Sequence, residues 1–199
     1  ALVLAGIAPA SQIAVARETG DTGAVASDTN AIFSDATSSW TNAQPTDWVT
    51  TTGPVCTVTI TNSEGLQQST ARYRYSTSGG SSWTGWSNSG LAISGGLTTT
   101  KYITVTGASF LESAAQNQIQ FEILDNIGAT DTSPIYTIKV DASAPAAPSS
   151  LAASPAAWTN SNSFNLTWTN PADLSGVVGA YYKLDTAPLS PTDGTYVSG

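Results

Sequence analysis

Apolar and polar residues alternate with a period of two through several short stretches of this chain. Ala71, Tyr73 and Tyr75 alternate with Arg72 and Arg74, and Ile119, Phe121 and Ile123 with Gln118, Gln120 and Glu122. Tyr136, Ile138 and Val140 alternate with Ile135, Thr137 and Lys139, and Phe164, Leu166 and Trp168 with Asn165 and Thr167. A period of two sends successive side chains to opposite faces, so these stretches predict half-buried antiparallel strands. Turn formers separate them: Ser78-Gly79-Gly80, Gly95-Gly96 and Asp125-Asn126-Ile127-Gly128. One short helical turn is expected around Phe110 to Gln116. Short strands broken by frequent turns predict an all-β sandwich or barrel.

The chain also repeats itself. Ser39-Trp40-Thr41-Asn42, Thr57-Val58-Thr59-Ile60-Thr61-Asn62 and Ala71-Arg72-Tyr73-Arg74-Tyr75-Ser76-Thr77 form one series of blocks. Ala157-Trp158-Thr159-Asn160, Asn165-Leu166-Thr167-Trp168-Thr169-Asn170 and Ala180-Tyr181-Tyr182-Lys183-Leu184-Asp185-Thr186 form the second. The offsets are 118, 108 and 109 residues, which predicts a loop after the first block about ten residues shorter in the second copy. The organisation expected is an N-terminal segment at 1–38, a sandwich at 39–141, a Pro/Ala/Ser linker at 142–150 and the first part of a second sandwich at 151–199. Two prolines, Pro145 and Pro148, make that linker a semi-rigid spacer. The second copy is too short to close a core alone, so further strands must complete it, from more of the same chain or from another molecule.

The first 16 residues, ALVLAGIAPASQIAVA, carry two readings. Ala8-Pro9-Ala10 and Ala14-Val15-Ala16 match the small-residue pattern at the rear of a signal peptide. Gln12 to Arg17 also reads as a strand of the mature protein, one that another subunit's open sheet could accept.

Composition removes whole classes of function. Six basic residues against 14 acidic ones, a net charge of −8, leave nothing to neutralise a phosphate backbone, so nucleic-acid binding is excluded, as is attraction to anionic membranes. No run of 18 apolar residues is present to span a membrane. The chain has no histidine, which removes Ser-His-Asp, Cys-His and histidine-ligated zinc chemistry. The single cysteine, Cys56, alternates with Thr57, Val58, Thr59 and Ile60 on an apolar face, so it is expected to be a buried structural thiol. Glu64, Glu112 and Glu122 could in principle form a hydrolytic pair, but Glu122 is expected on an exposed strand face and the others in polar loops. Lys101, Lys139 and Lys183 all fit solvent-facing strand positions, which leaves a Ser-Lys dyad without its buried base. No enzyme is expected.

Two sets of residues remain as binding candidates. Asp125, Asp131 and Asp141 flank turns at the ends of the first sandwich, where oxygen ligands could converge on calcium; the alternative is that each only caps its turn. Trp83 and Trp86 flank Gly85 in a Gly- and Ser-rich hairpin, where they would either stack on sugar rings or cover the core. Trp40, Trp158 and Trp168 read as core or interdomain packing.

Tyr73-Arg74-Tyr75-Ser76-Thr77-Ser78-Gly79-Gly80-Ser81-Ser82-Trp83 resembles the hairpin of extracellular bacterial and archaeal Ig-like, fibronectin III-like repeats. Asn117-Gln118-Ile119-Gln120-Phe121 with Asp125-Asn126-Ile127-Gly128, and Tyr136 to Asp141 followed by Ala144-Pro145, are similar to their next strands, loop and linker. Position 129 is alanine where such loops often carry asparagine. The resemblance implies tandem immunoglobulin-like sandwiches in an extracellular or cell-surface protein with a structural or adhesive role. Self-association into a filament or surface layer, or contact with other surface proteins, would follow. The alternative it implies is a polysaccharide-binding or spacer module of a secreted hydrolase.

Overall fold

The computed structural model describes residues 38–95, 99–160 and 163–198, together with the backbone of 3–8 and 12–16. Among the described residues the chain is all-β, with no helix and with its strands paired antiparallel. β1 (Val3–Ala8) and β2 (Gln12–Ala16) pair with each other. Next come β3 (Ser39–Gln44), β4 (Cys56–Thr61), β5 (Leu66–Ser76), β6 (Leu91–Ser94) and β7 (Thr100–Val105). β8 (Ser113–Asp125), β9 (Thr130–Thr132) and β10 (Tyr136–Val140) complete the first unit. The expected helical turn at Phe110 to Gln116 does not form: β8 begins at Ser113, and Phe110 serves as a core plug.

These strands make two four-stranded sheets over one core. One has the order β3-β4-β7-β6; the other has β10-β8-β5, with β9 beside β10 along the same edge of β8. The alternation read from the sequence decides which side faces in. Cys56, Val58 and Ile60 on β4 and Ile103 and Val105 on β7 come from the first sheet. Tyr73, Ile119, Phe121, Ile123, Ile138 and Val140 come from the second. Trp40 and Tyr136 pack on Phe121 at ring separations of 6.5 and 6.3 Å, and Phe110 meets Tyr75 edge-on at 5.5 Å. Truncating an aromatic at such a centre costs on the order of 3–5 kcal/mol.

Polar groups stitch the core where the ladder is interrupted. Pro134 has no N–H to offer β8, so β9 and β10 are separate strands. Ser133 bridges the gap: its Oγ accepts from Phe121 N at 2.9 Å and its N–H donates to Phe121 O at 2.9 Å. Asn117, fully buried, holds the loop before β8. Its Nδ2 donates to Leu111 O at 2.7 Å and Ile138 O at 3.3 Å, and its Oδ1 accepts from Leu111 N at 3.0 Å.

Two charged residues expected at the surface are buried. Lys101 lies opposite Ile60 in the β4–β7 ladder, on the core-facing side with Ile103 and Val105, and is 6% exposed. The sequence places it at an inward step of the alternation, and the length of its side chain lets an inward lysine run along apolar neighbours towards the sheet edge. Glu122 is 8% exposed because Arg72, directly opposite on β5, lies over it, with Nε donating to Oε1 at 2.7 Å.

The second unit has β11 (Ser149–Ser154) paired with β12 (Asn165–Thr169), and β13 (Gly179–Tyr182) paired with β14 (Thr195–Ser198). It corrects the alignment of the repeat. Trp40 sits on β3 opposite Ile60, whereas Trp158 lies beyond β11 and is fully exposed. The counterpart of β3 is β11. Each pairs with the strand carrying the second block, and each shifts register at a residue of positive φ, Asn42 or Ser150. Each then runs into a proline, Pro45 or Pro155. Those prolines are 110 residues apart, close to the offsets of the other blocks, and the following loops hold 11 and 10 residues. The anticipated shortening by ten therefore vanishes, and Trp158 corresponds to Trp48. A recurring Trp-Thr-Asn is a short match; ladder register is the stricter guide.

Candidate functional site

The three aspartates proposed for calcium are placed separately. Asp125 closes the β8–β9 turn: Oδ1 accepts from Ile127 N at 3.1 Å and Ala129 N at 2.8 Å, and Gly128 takes the positive φ of 93° that the turn requires. Its Oδ2 is buried and has no hydrogen-bond partner among the described residues. Asp131 on β9 accepts from Asn62 Nδ2 at 3.0 Å, tying one sheet to the other. Asp141 lies past the opposite end of β8, next to the Val140–Ser113 pair, and its Oδ2 accepts from Ser175 N in the second unit at 2.8 Å. Hydrogen bonds from Ser175 hold the Asp141 carboxyl below its ordinary value, with Asp173 and Glu112 acting in the same direction and burial opposing them. Among the described residues no group of three or more His, Cys, Asp or Glu side chains is placed to hold a metal ion.

Trp83 and Trp86 are not in the core. Because Tyr73 and Tyr75 face inward, Arg72 and Arg74 face out from β5, and the hairpin after β5 folds back along that outer face. Tyr73 and Ser87 exchange backbone hydrogen bonds at 2.8 Å each, and Thr84 N donates to Tyr75 O at 2.9 Å. Both tryptophans then stack on arginine. Arg74 lies 4.8 Å from the Trp83 ring centre and 4.7 Å from that of Trp86, and Arg72 lies 5.4 Å from Trp86. Gln120 Oε1 accepts from Arg74 Nε and Nη2 at 3.0 and 2.7 Å. Each cation–π contact contributes about 0.5–1 kcal/mol on a wet surface. The rings are half-buried, and guanidinium groups occupy the stacking positions a sugar would use.

Cys56 is fully buried, and burial pushes its thiol up to about 12, so it carries no reactive thiolate at neutral pH. Lys183 forms a surface ion pair with Asp193 at 2.7 Å.

The concavity that stands out is one the sequence analysis did not single out. An open cleft of about 470 Å³ lies in the second unit, lined by Ser163, Phe164, Leu166, Trp168, Tyr182, Leu184 and Val197. By the block alignment Leu166 and Trp168 correspond to Val58 and Ile60, and Tyr182 and Leu184 to Tyr73 and Tyr75. In the first unit Val58, Ile60 and Tyr73 are covered by β7, β8 and β10. In the second, no described strand covers their counterparts, so Phe164 is 46% and Leu184 48% exposed. The signal was present in the sequence as an alternating stretch whose partner strands lay nowhere in the second copy.

No family model matches the chain, and no curated protein matches it. The cleft therefore has to be read from its own chemistry. Its lining is aliphatic and aromatic with one serine and holds no ionisable carboxyl, thiol or amine. Such a surface binds by burying apolar area and by offering free strand edges, not by proton transfer. No helix among the described residues is long and apolar enough to cross a membrane.

Proposed function

We propose that the chain is a non-catalytic structural or adhesive part of an extracellular or cell-surface protein, built of immunoglobulin-like sandwiches in tandem. The observation that carries this reading is the cleft of the second unit, which is the inner face of a sandwich rather than a reaction centre. The strand order supports the immunoglobulin-like assignment. β3-β4-β7-β6 facing β10-β8-β5 follows the four-over-three division of a constant-type immunoglobulin domain. A surface poor in charge, at 10% of residues against roughly 25% in an average soluble protein, agrees with an exported role.

Fractionation of cells producing the native protein tests location, with the chain expected in the surface or secreted fraction. Assays against glycosides, esters and peptides are expected to give no turnover above buffer. Reproducible turnover abolished by one carboxylate substitution would overturn the reading.

The alternative, a polysaccharide-binding module, draws on the half-exposed Trp83 and Trp86. Glycan binding lost in Trp83→Ala with the fold retained would favour it.

A further inference from the structure

We propose that the cleft between β12 and β13 accepts the β1–β2 hairpin of a second copy of this chain. The inference rests on the structural role argued above and names the partner.

Two features are each incomplete alone. β1 and β2 pair with each other and, among the described residues, with no other strand. A lone two-stranded hairpin is marginally stable in water. Its register sets Leu4 against Val15 and Ile7 against Ile13, and residues 1–16 contain no charged residue. The cleft is the complementary case: its lining is uncharged, and it is uncovered among the described residues.

The first unit shows what fits there. β5 carries on one edge a strand, β8, that is itself paired antiparallel with β10. β13 is the counterpart of β5, β14 takes one of its edges, and no described strand takes the other. An antiparallel strand pair is therefore the element that completes this sheet and covers Leu166, Trp168, Tyr182 and Leu184. β1–β2 is such a pair, with strands of six and five residues against the four of β13. Adding strands to an open edge supplies backbone hydrogen bonds as well as apolar burial. Donor and acceptor lie on either side of residues 39–141 in sequence, so the contact is head-to-tail, a geometry that propagates into open chains of subunits.

Sedimentation velocity of the 199-residue chain over a range of concentrations tests this. Species that grow by whole subunits are expected. A chain lacking residues 1–16 should be monomeric, because it has a cleft but no hairpin. Leu166→Glu should also be monomeric, because it has a hairpin but a charged cleft. An equimolar mixture of the two should form a one-to-one heterodimer, since one supplies the cleft and the other the hairpin. That last result does not require the second unit of Leu166→Glu to fold. A full-length chain that stays monomeric at every concentration, oligomers that persist without residues 1–16, or a mixture that fails to pair would each overturn the proposal. None of these outcomes touches the non-catalytic reading, which the turnover assays decide.

Discussion

Single buried polar residues decide how firmly the first sandwich closes. Asn117 makes three hydrogen bonds to backbone that no solvent reaches. Asn117→Ala leaves Leu111 N–H and two carbonyls unpaired, and each orphaned group costs about 1–3 kcal/mol. A loss near 3 kcal/mol by urea denaturation is expected, with the slope unchanged because the surface exposed on unfolding is the same. Cys56 is a residue-scale prediction of a different kind. Its thiol titrates near 9 when exposed and is raised to about 12 by burial. A raised folded value means the stabilisation is fully present below pH 9 and is lost as the pH climbs from 9 towards 12. Native protein should leave a thiol reagent unreacted at pH 8, and the same protein in denaturant should react fully.

The hairpin after β5 shows what elements add. Its register is fixed by backbone bonds to Tyr73 and Tyr75, but the Trp–Arg stack holds it flat against the sheet. Trp83→Ala and Arg74→Ala should each cost about 1 kcal/mol, and a double-mutant cycle should return a coupling of about 0.5–1 kcal/mol. Amide exchange at Thr84 to Ser87 should accelerate in either variant while exchange in β8 stays slow. A Trp83 set in the core would instead cost 3–5 kcal/mol, so the size of the effect separates the two roles. The sequence made both tryptophans conspicuous, yet their setting was decided by β5: the tyrosines take the inward steps, so the arginines must face the returning hairpin. Alternation along β5 was legible from residues 71–75; the return of a Gly-rich loop onto its outer face was not, because no local pattern specifies where a loop lies.

At the scale of the whole molecule, Asp141 couples the two units. Its carboxylate accepts from Ser175 N, and Ser143 next along the linker donates to Glu112 at 2.6 Å. The folded value of Asp141 is lowered, so the contact is present above the ordinary 3.8 and is lost as the pH falls through that lowered value. The Ser175 amide should therefore show a chemical-shift transition below pH 3.8 that Asp141→Asn abolishes. Small-angle scattering should report looser spacing of the units in Asp141→Ala at neutral pH.

The sequence by itself determined the all-β class, the strands of the first unit and most of its core, because alternation at period two is local and survives without knowledge of partners. It also showed that a second copy exists. Only the tertiary structure decided the rest. Which strand of the repeat answers to which was misread from a short Trp-Thr-Asn match and corrected by ladder register. Lys101 and Glu122, surface residues by type, are buried because the strand opposite determines exposure. Asp125, Asp131 and Asp141, similar in sequence context, serve three separate contacts, since their distance depends on which end of β8 each occupies. The apolar cleft became visible only when the two strand pairs of the second unit stood side by side without a covering strand. Local pattern sets which face of a strand is apolar; what covers that face is a contact between distant residues, and no window of sequence contains it.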